Sequence, residues 1–358
     1  MATLTHVAGT FLIHADASFL NGAGLGEGED RNVTVPKTLR DGKHLVPYVS
    51  SQAWKRWLRS TLIAETGWPP SELRSIQESE KGSTAKIAGE LDPVEFAEDD
   101  LFGYMRAQEG QGRRRRAEEG EDESEAPGGR TKALMRSSPF SASLLISTRK
   151  TGWQGRDEGF VHLKEGTPLP YTTEFYTTHL QGVFCLAHYR VGLYWNVGDR
   201  IELREDLVKK YLASKHIREA DGGYEVVNAA EIRKERCGEL LKALAVLRGG
   251  AKQAAFGTDV SPKCLIAAGL SCGNPIFNHL FDDESEKGLR LRIETLKEVL
   301  ADFADRIVTP VVIGLRKSYL ANEDDIRALA GSHNFKRGHV EVVVNTPRAA
   351  AEAIAERL

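Results

Sequence analysis

The feature that most limits the fold of this chain is a long stretch of polar, poorly periodic sequence in its first half. More than a hundred residues separate the first predicted helix, which begins at Ser51, from a predicted strand at Val183. Compact domains rarely contain connections of that length unless they are functional insertions. Within it, residues 107–130 carry four consecutive arginines followed by six acids, a composition typical of a disordered loop. The sequence therefore predicts a core domain that is interrupted by an inserted subdomain.

Hydrophobic periodicity predicts the elements of that core. Val7–Ile13 is predicted as a short strand, followed by a Gly-rich loop at Asn21–Gly28. From Val183 to Trp195 every odd position is apolar or aromatic, and this period of two predicts one strand with a buried face. The other predicted elements are helices at Glu231–Arg248 and Leu289–Phe303, and strands at Lys263–Ala268, Ile307–Ile313 and Val340–Val344. This order is compatible with an α+β, split β-α-β (ferredoxin-like) core.

Charge is informative only when it is divided by segment. The 358 residues carry a net charge of -3, which argues against bulk attraction to nucleic acid. Residues 31–59, however, hold seven Lys or Arg against one acid, and residues 130–164 hold seven against two. Local basic patches suggest a confined polyanion track, because phosphate binding depends on local charge. A solvated charged face explains them equally well.

The chain lacks the common signatures of catalysis and metal binding. Its four cysteines form no C-x-x-C pair, and no dinucleotide fingerprint, P-loop, H-E-x-x-H, G-x-S-x-G or EF-hand loop occurs. The acidic triplets Glu98–Asp100 and Asp282–Glu284 are predicted to be solvated helix-start or loop charges. No signal peptide or apolar run of about 18 residues is visible, so a cytoplasmic protein is expected. We expect no cofactor, no metal and no catalytic residues.

The most informative stretch is Tyr48–Arg59. With Ser50 or Ser51 as the N-cap, apolar side chains recur every four residues along one face of a predicted helix, at Trp54, Leu58 and Leu62. The opposite face is a row of donors, formed by Gln52, Lys55, Arg56 and Arg59. A helix N-terminus with unbonded backbone amides and such a row is suited to hold phosphates. The alternative is an ordinary amphipathic surface helix.

A second candidate is the segment Gly249–Gln253, directly after the helix that ends at Arg248. Glycines allow a ligand to approach the backbone closely, and Lys252 and Gln253 are then placed to reach a phosphate or a sugar. A plain helix C-cap followed by a polar loop explains the segment nearly as well.

Taken together, these two segments resemble a known family. Val49–Arg59, preceded by Ser18–Asn21 and by Arg31 to Lys37, is similar to the signature of the backbone subunit of CRISPR type I Cascade complexes, the seventh Cas protein family. Within that family the chain looks most like the DevR autoregulator subgroup, associated with type I-B systems. Two further motifs have matches: Gly250–Gln253 with Asp259–Ala268, and Thr173–Phe175 with Gly182–Phe184.

The resemblance implies a fold and a set of partners. The fold is a ferredoxin-like, RRM-like palm at 1–67, 135–146 and 174–358, with fingers inserted at 68–134 and a thumb hairpin at 147–173. Copies of the chain are expected to form a helical filament along the CRISPR guide RNA. The guide bases then pair with target DNA, while the protein holds phosphates and sugars and other Cascade subunits complete the complex.

The resemblance also implies which residues meet the RNA. Contacts to its backbone are expected from the loops and the first helix, at Asn21, Arg31, Lys37, Ser50, Ser51, Gln52, Lys55, Arg56, Arg59, Gly250, Lys252 and Gln253. In the thumb, Arg149, Lys150 and Arg156 are expected to follow the backbone, and Phe160, Val161 or Leu163 to wedge at a kink. The Gly-rich loop departs from the family pattern, since it carries Glu27, Glu29 and Asp30 where basic residues are usual.

Two alternative functions remain open at this point. Related backbone subunits of type III complexes cleave bound RNA with an aspartate after the first strand, and Asp16 or Asp30 occupies that region. The subgroup's name also suggests a transcriptional autoregulator, although no helix-turn-helix pair with a recognition helix is apparent.

Overall fold

The structure is a computed structural model, and it describes residues 2–28, 31–71, 74–77, 85–88, 91–106, 133–161, 165–167 and 169–358. The chain divides into two compact units. Unit 1 contains Met1–Thr66, Phe140–His188 and Cys237–Leu358, and unit 2 contains Gly67–Pro139 and Tyr189–Arg236. The predicted insertion at 68–134 falls in unit 2, which also takes residues from a later part of the chain. Sheets and helices occur together, as the predicted α+β class requires.

The strands in chain order are β1 (His6–Ser18), β2 (Gly22–Leu25), β3 (Val33–Pro36), β4 (Thr38–Asp41), β5 (His44–Val49), β6 (Arg74–Gln77), β7 (Ala85–Ala88), β8 (Tyr104–Arg106), β9 (Ala133–Arg136), β10 (Phe140–Ala142), β11 (Leu145–Ser147), β12 (Gln154–Val161), β13 (Leu169–Leu186), β14 (Leu193–Val197), β15 (Arg200–Ile201), β16 (Ile217–Ala220), β17 (Gly223–Val226), β18 (Cys264–Leu270), β19 (Val311–Leu315), β20 (Gly331–Phe335) and β21 (Gly338–Asn345). The helices are α1 (Ser51–Thr66), α2 (Ala97–Phe102), α3 (Glu205–Ala213), α4 (Ala229–Ala245), α5 (Gln253–Phe256), α6 (Ile293–Asp302), α7 (Glu323–Arg327) and α8 (Pro347–Ala355).

Unit 1 is built on one large sheet with the order β20-β21-β19-β18-β1-β13-β11-β5-β4. Strand β1 lies in its interior, antiparallel to both β13 and β18. Its side chains are buried on both faces, because Leu12 joins the core formed with the C-terminal helices while Phe11 meets Trp54 of α1 edge to face at 5.3 Å. Burial on two faces explains why β1 is an almost continuous apolar run in the sequence.

Unit 2 has its own sheet, in the order β16-β17-β14-β15-β9-β8, and its own small core around Tyr194 and Leu203. The Arg136 side chain of this unit is fully buried. It pairs with Asp100, and its guanidinium donates to Glu202 at 3.0 Å. Three backbone carbonyls complete its bonding, so the buried cation is neutralised and its donors are used.

The structure confirms the predicted helices at 231–248 and 289–303 as α4 and α6. The single strand predicted from Val183 to Trp195 is wrong. Strand β13 ends at Leu186, the chain turns through His188–Arg190, and β14 starts at Leu193 in the sheet of unit 2. The buried position of β14 is the even residue Tyr194, so the alternation in the sequence crosses a change of both strand and face.

Two other predictions need correction. The Gly-rich loop at 21–28 contains a strand, β2, which pairs antiparallel with β3. The triplet Glu98–Asp100 is buried rather than solvated, since its exposed fractions are 3%, 1% and 0%. These acids accept hydrogen bonds from Ser71, Arg136 and Arg236. Buried donors of unit 2 supply the partners that the local sequence does not contain.

Candidate nucleic-acid interface

Helix α1 has the one-sided packing that its sequence predicts. Trp54, Leu58 and Leu62 are fully buried, and the Trp54 indole donates to the Ser143 carbonyl at 2.7 Å. The helix contains no acid in its first turn, and the Ser51 and Gln52 backbone N–H groups precede its first internal hydrogen bonds. The packed face therefore fixes the helix, and its N-terminus remains favourable for an anion.

Three predicted site residues meet at that N-terminus. The side-chain oxygen of Asn21 accepts a hydrogen bond from the Ser50 backbone N–H at 3.0 Å, and its carbonyl accepts from the Lys37 N–H at 2.9 Å. The Ser50 carbonyl then receives the first helical bonds, from Ala53 and Trp54. Asn21 thus organises the start of the helix, while Ser51 follows half-buried in the first turn.

The predicted donor row of α1 divides into two kinds of side chain. Lys55 is largely buried, its ammonium donates to the Phe140 carbonyl at 2.9 Å, and desolvation lowers its pKa to about 8. Arg59 is half-buried, whereas Gln52 and Arg56 are exposed. Across the described residues, no hydrogen bond or ion pair engages the Arg56 guanidinium. Arg56 is therefore the cation of this row that is open to a ligand.

The predicted glycine segment packs directly on α1. Gly249 has a φ of 150° and lies against the Trp57 ring, where a Cβ would clash. Gly250 has a φ of 111°, and a Cβ there would stand 2.6 Å from Leu20. The Ala251 N–H donates to the Leu20 carbonyl at 2.9 Å. Both glycines are needed for this close approach, which brings the two predicted motifs together.

The polar side chains of the segment are bonded within the protein. The Lys252 ammonium donates to the Thr173 hydroxyl at 2.7 Å and lies 5.1 Å from the centre of the Phe19 ring. The Gln253 amide donates to the Gly249 carbonyl. Lys252 is nevertheless exposed, so its charge faces solvent beside α1. Thr173 belongs to the third motif, which therefore meets the second.

The first basic stretch contains five cations that no ion pair engages among the described residues: Arg31, Lys37, Arg40, Lys43 and Arg56. Arg40 and Lys43 lie in the β4–β5 hairpin, which leads directly into α1. Neither was among the predicted contact residues. The sequence feature that pointed to Arg40 and Lys43 was the excess positive charge of residues 31–59, which contain a single acid, Asp41.

The predicted thumb cations all face acids. Arg149 pairs with Glu284, and Lys150 lies 2.9 Å from Asp283 and 3.5 Å from Asp41. The Arg156 guanidinium is 4.0 Å from Glu174. The triplet at 282–284 was expected to be solvated, which is wrong for Glu284, whose side chain is 5% exposed. RNA contact by these three cations stays a prediction.

Strands β12 and β13 form a hairpin that exposes apolar side chains in the outer part of its two strands. Phe160 is 71% exposed and pairs across the strands with Pro170, next to Val161. Tyr171 is also exposed, and its ring covers Gly159 so closely that a Cβ at position 159 would clash with it. Tyr171 was not among the predicted wedge residues, and the predicted wedge residue Leu163 lies outside the described residues. Exposed apolar side chains on an antiparallel hairpin can stack on a base or insert between bases.

Asp16, one of the two acids considered for catalysis, lies within β1 and not in a loop after the first strand. Asp16 is exposed, and its carboxylate accepts from the Thr177 hydroxyl at 3.3 Å. Within the described ranges, no cluster of three or more His, Cys, Asp or Glu is placed to hold a metal. Asp30, together with Glu29, lies outside the described residues. Over the same described part of the chain, no helix has the length and apolar character to cross a membrane.

Two solved chains share this fold over nearly their whole lengths. One belongs to a CRISPR RNA-guided surveillance complex, with 14% identity, a TM-score of 0.51 and 99% of both chains covered. The other belongs to a CRISPR RNA-guided surveillance complex described as pre-nicking, with 12% identity, a TM-score of 0.55, and 99% and 100% coverage. No protein-family model and no curated protein sequence matches the chain. At these identities the likeness shows a common fold.

Proposed function

We propose that this chain is a backbone subunit of a type I, I-B-like Cascade complex, of the DevR subgroup, that binds CRISPR guide RNA and has no catalytic role. The observation that carries the proposal is the fold match to two surveillance-complex chains over 99% of this chain. The match therefore extends over both units of the chain and is not limited to the core sheet of unit 1. The RNA would bind without base preference, so that its bases stay open to pair with target DNA.

The unpaired cations and the start of α1 support this role. Arg31, Lys37, Arg40, Lys43 and Arg56 lie within 29 residues of chain and face no acid among the described residues. Helix α1 adds backbone N–H groups at an end without acids. Together they offer several phosphate contacts. Contacts of this kind give affinity that depends on salt and not on sequence.

The exposed apolar side chains of the hairpin support a second part of the role. Phe160 and Val161 are exposed in the outer part of a hairpin of unit 1 and are suited to part neighbouring bases of a single strand. A repeated wedge requires repeated copies of the chain along the guide. Head-to-tail copies form open filaments when their rotation does not close a ring.

The proposal is tested by purifying the tagged chain from cells that express its locus and sequencing the nucleic acid that accompanies it. We expect processed CRISPR RNA in a large particle with many copies of the chain. A monomer without RNA contradicts the proposal. Incubating the particle with complementary RNA and Mg²⁺ tests the non-catalytic part, and cleavage that an Asp16→Asn variant abolishes would contradict it.

A further inference from the structure

A buried carboxylate lies at the root of the β12–β13 hairpin. The Glu284 side chain is 5% exposed, and one of its oxygens accepts from the Arg149 guanidinium, with Nε at 3.1 Å. The other oxygen accepts from the His179 backbone N–H at 3.2 Å and lies 2.9 Å from His179 Nδ1. Arg149 precedes β12 and His179 lies in β13. Glu284 therefore holds both segments from which the hairpin departs.

Backbone hydrogen bonds join the same contact. The Glu284 N–H donates to the Thr148 carbonyl at 2.8 Å, and the Thr148 N–H donates to the His179 carbonyl at 2.9 Å. The Ser147 hydroxyl accepts from the Arg149 N–H at 3.0 Å. A segment more than a hundred residues further along the chain is thus bonded to the hairpin root through side chain and backbone.

The charge of Glu284 is stable under physiological conditions. Burial by itself raises the pKa of Glu284, but hydrogen bonds from His179 and Arg149 outweigh burial and lower it to about 2. A buried carboxylate is costly to separate from a charged guanidinium donor. An RNA phosphate that took Arg149 would leave this carboxylate without its guanidinium partner. We therefore expect the ion pair between Arg149 and Glu284 to persist when RNA binds.

We propose that Glu284 is a positioning residue, which fixes how the β12–β13 hairpin leaves the sheet and so where Phe160 and Val161 meet the guide RNA. This inference rests on the proposed function. Arg149 accordingly serves the hairpin root and is not a phosphate contact. Glu284 acts through Arg149 and His179 and does not itself touch the RNA.

The variant Glu284→Gln tests the inference, because it keeps the shape of the side chain and removes its charge. Glu286→Gln is the matched control, since Glu286 is exposed in the same segment and no described residue pairs with it. In the free chain, we expect hydrogen exchange of the hairpin amides to rise about tenfold in Glu284→Gln alone. In the complex, we expect guide-RNA affinity about tenfold lower, with an unchanged salt slope because no phosphate contact is lost.

Arg149→Ala provides the second variant, and it reports on the same contact if Glu284→Gln does not fold. We expect the same loss of affinity, with the double variant no weaker than either single variant. A lower salt slope in Arg149→Ala overturns the inference, and so does unchanged hairpin exchange in Glu284→Gln. If the unaltered chain fails to bind RNA, the proposed function fails, while exchange in the free chain still tests the hold of Glu284 on the hairpin.

Discussion

The two basic stretches of this chain have similar compositions and different structures. In residues 31–59, Arg31, Arg40 and Arg56 are exposed, and no acid of the described chain pairs with them. In residues 130–164, Arg136 is sealed inside unit 2 with Asp100 and Glu202, and each described thumb cation faces an acid. A local charge sum therefore does not show whether a cation is open to a ligand.

The difference arises from where the neutralising acids lie in the chain. Arg149 and Lys150 are paired by Glu284 and Asp283, more than a hundred residues later in the sequence. In the first stretch, Arg31, Arg40 and Arg56 have no such partner among the described residues, and Asp41 lies 3.5 Å from Lys150. Folding thus concentrates uncompensated positive charge in one of the two stretches. The variants that follow separate a structural from a ligand-binding role for each stretch.

The largest effect is expected at Arg136 in the second stretch. Arg136→Met leaves Asp100 and Glu202 without this buried cation, which costs about 3–5 kcal/mol when one partner of a buried pair is removed. The matched control is Arg40→Met, an exposed site where the change is expected within about 0.5 kcal/mol. Urea unfolding followed by circular dichroism measures both. Equal stability of the two variants would contradict the difference between the stretches.

The second prediction concerns RNA binding and compares two double variants that each remove two charges. Arg40→Ala with Arg56→Ala removes two unpaired cations, so the slope of log affinity against log salt falls by about 1.4, or 0.7 for each lost contact. Lys150→Ala with Arg156→Ala removes cations that already face acids, and the slope should not change. Filter binding of guide RNA between 50 and 200 mM salt, roughly the range over which such effects are large, measures both. Equal slopes would place phosphate contacts in both stretches.

Much of the fold followed from local pattern. The buried face of α1 was predictable because Trp54, Leu58 and Leu62 follow a helical period, and α4 because its sequence stops at two glycines. The break between β13 and β14 was not predictable in this way. Apolar residues alternate straight through it, and the change of sheet is decided by distant pairing partners.

The candidate site was predictable only in part. The charge excess drew attention to α1, but the burial of Lys55 depends on the Phe140 carbonyl, which is brought in from another strand. The acids at 98–100 and 282–284 form similar triplets in sequence. All three of the first set are buried, whereas in the second set Glu284 alone is nearly buried and Asp283 is exposed. Burial of a charge requires partners that only the complete fold supplies.

The third prediction sharpens the comparison at Lys55, a largely buried cation of the first stretch. Its folded pKa of about 8 lies below the ordinary value of 10.5, so the unfolded chain binds more protons between these values. Stability of the unaltered chain should therefore rise with pH across this window, relative to Lys55→Met. Lys43→Met, at an exposed site, should follow the unaltered chain. Parallel curves for Lys55→Met and the unaltered chain would contradict the burial of this ammonium.

The smallest effect is expected at Lys150. A variant at this position tests whether an exposed ion pair of the second stretch contributes to stability. Lys150 contacts Asp283 and Asp41, and these hydrogen bonds and charges raise its pKa, yet all three side chains are well exposed. Exposed ion pairs of this kind contribute about 0–1 kcal/mol, because water screens them and ordering long side chains opposes them. Lys150→Ala should therefore change the free energy of unfolding by less than about 1 kcal/mol, and added salt should erase the difference. A larger loss that persists at about 1 M salt would mean that Lys150, like Arg149, anchors the hairpin root. Lys150 would then belong with the anchored cations of the second stretch and not with the exposed ones.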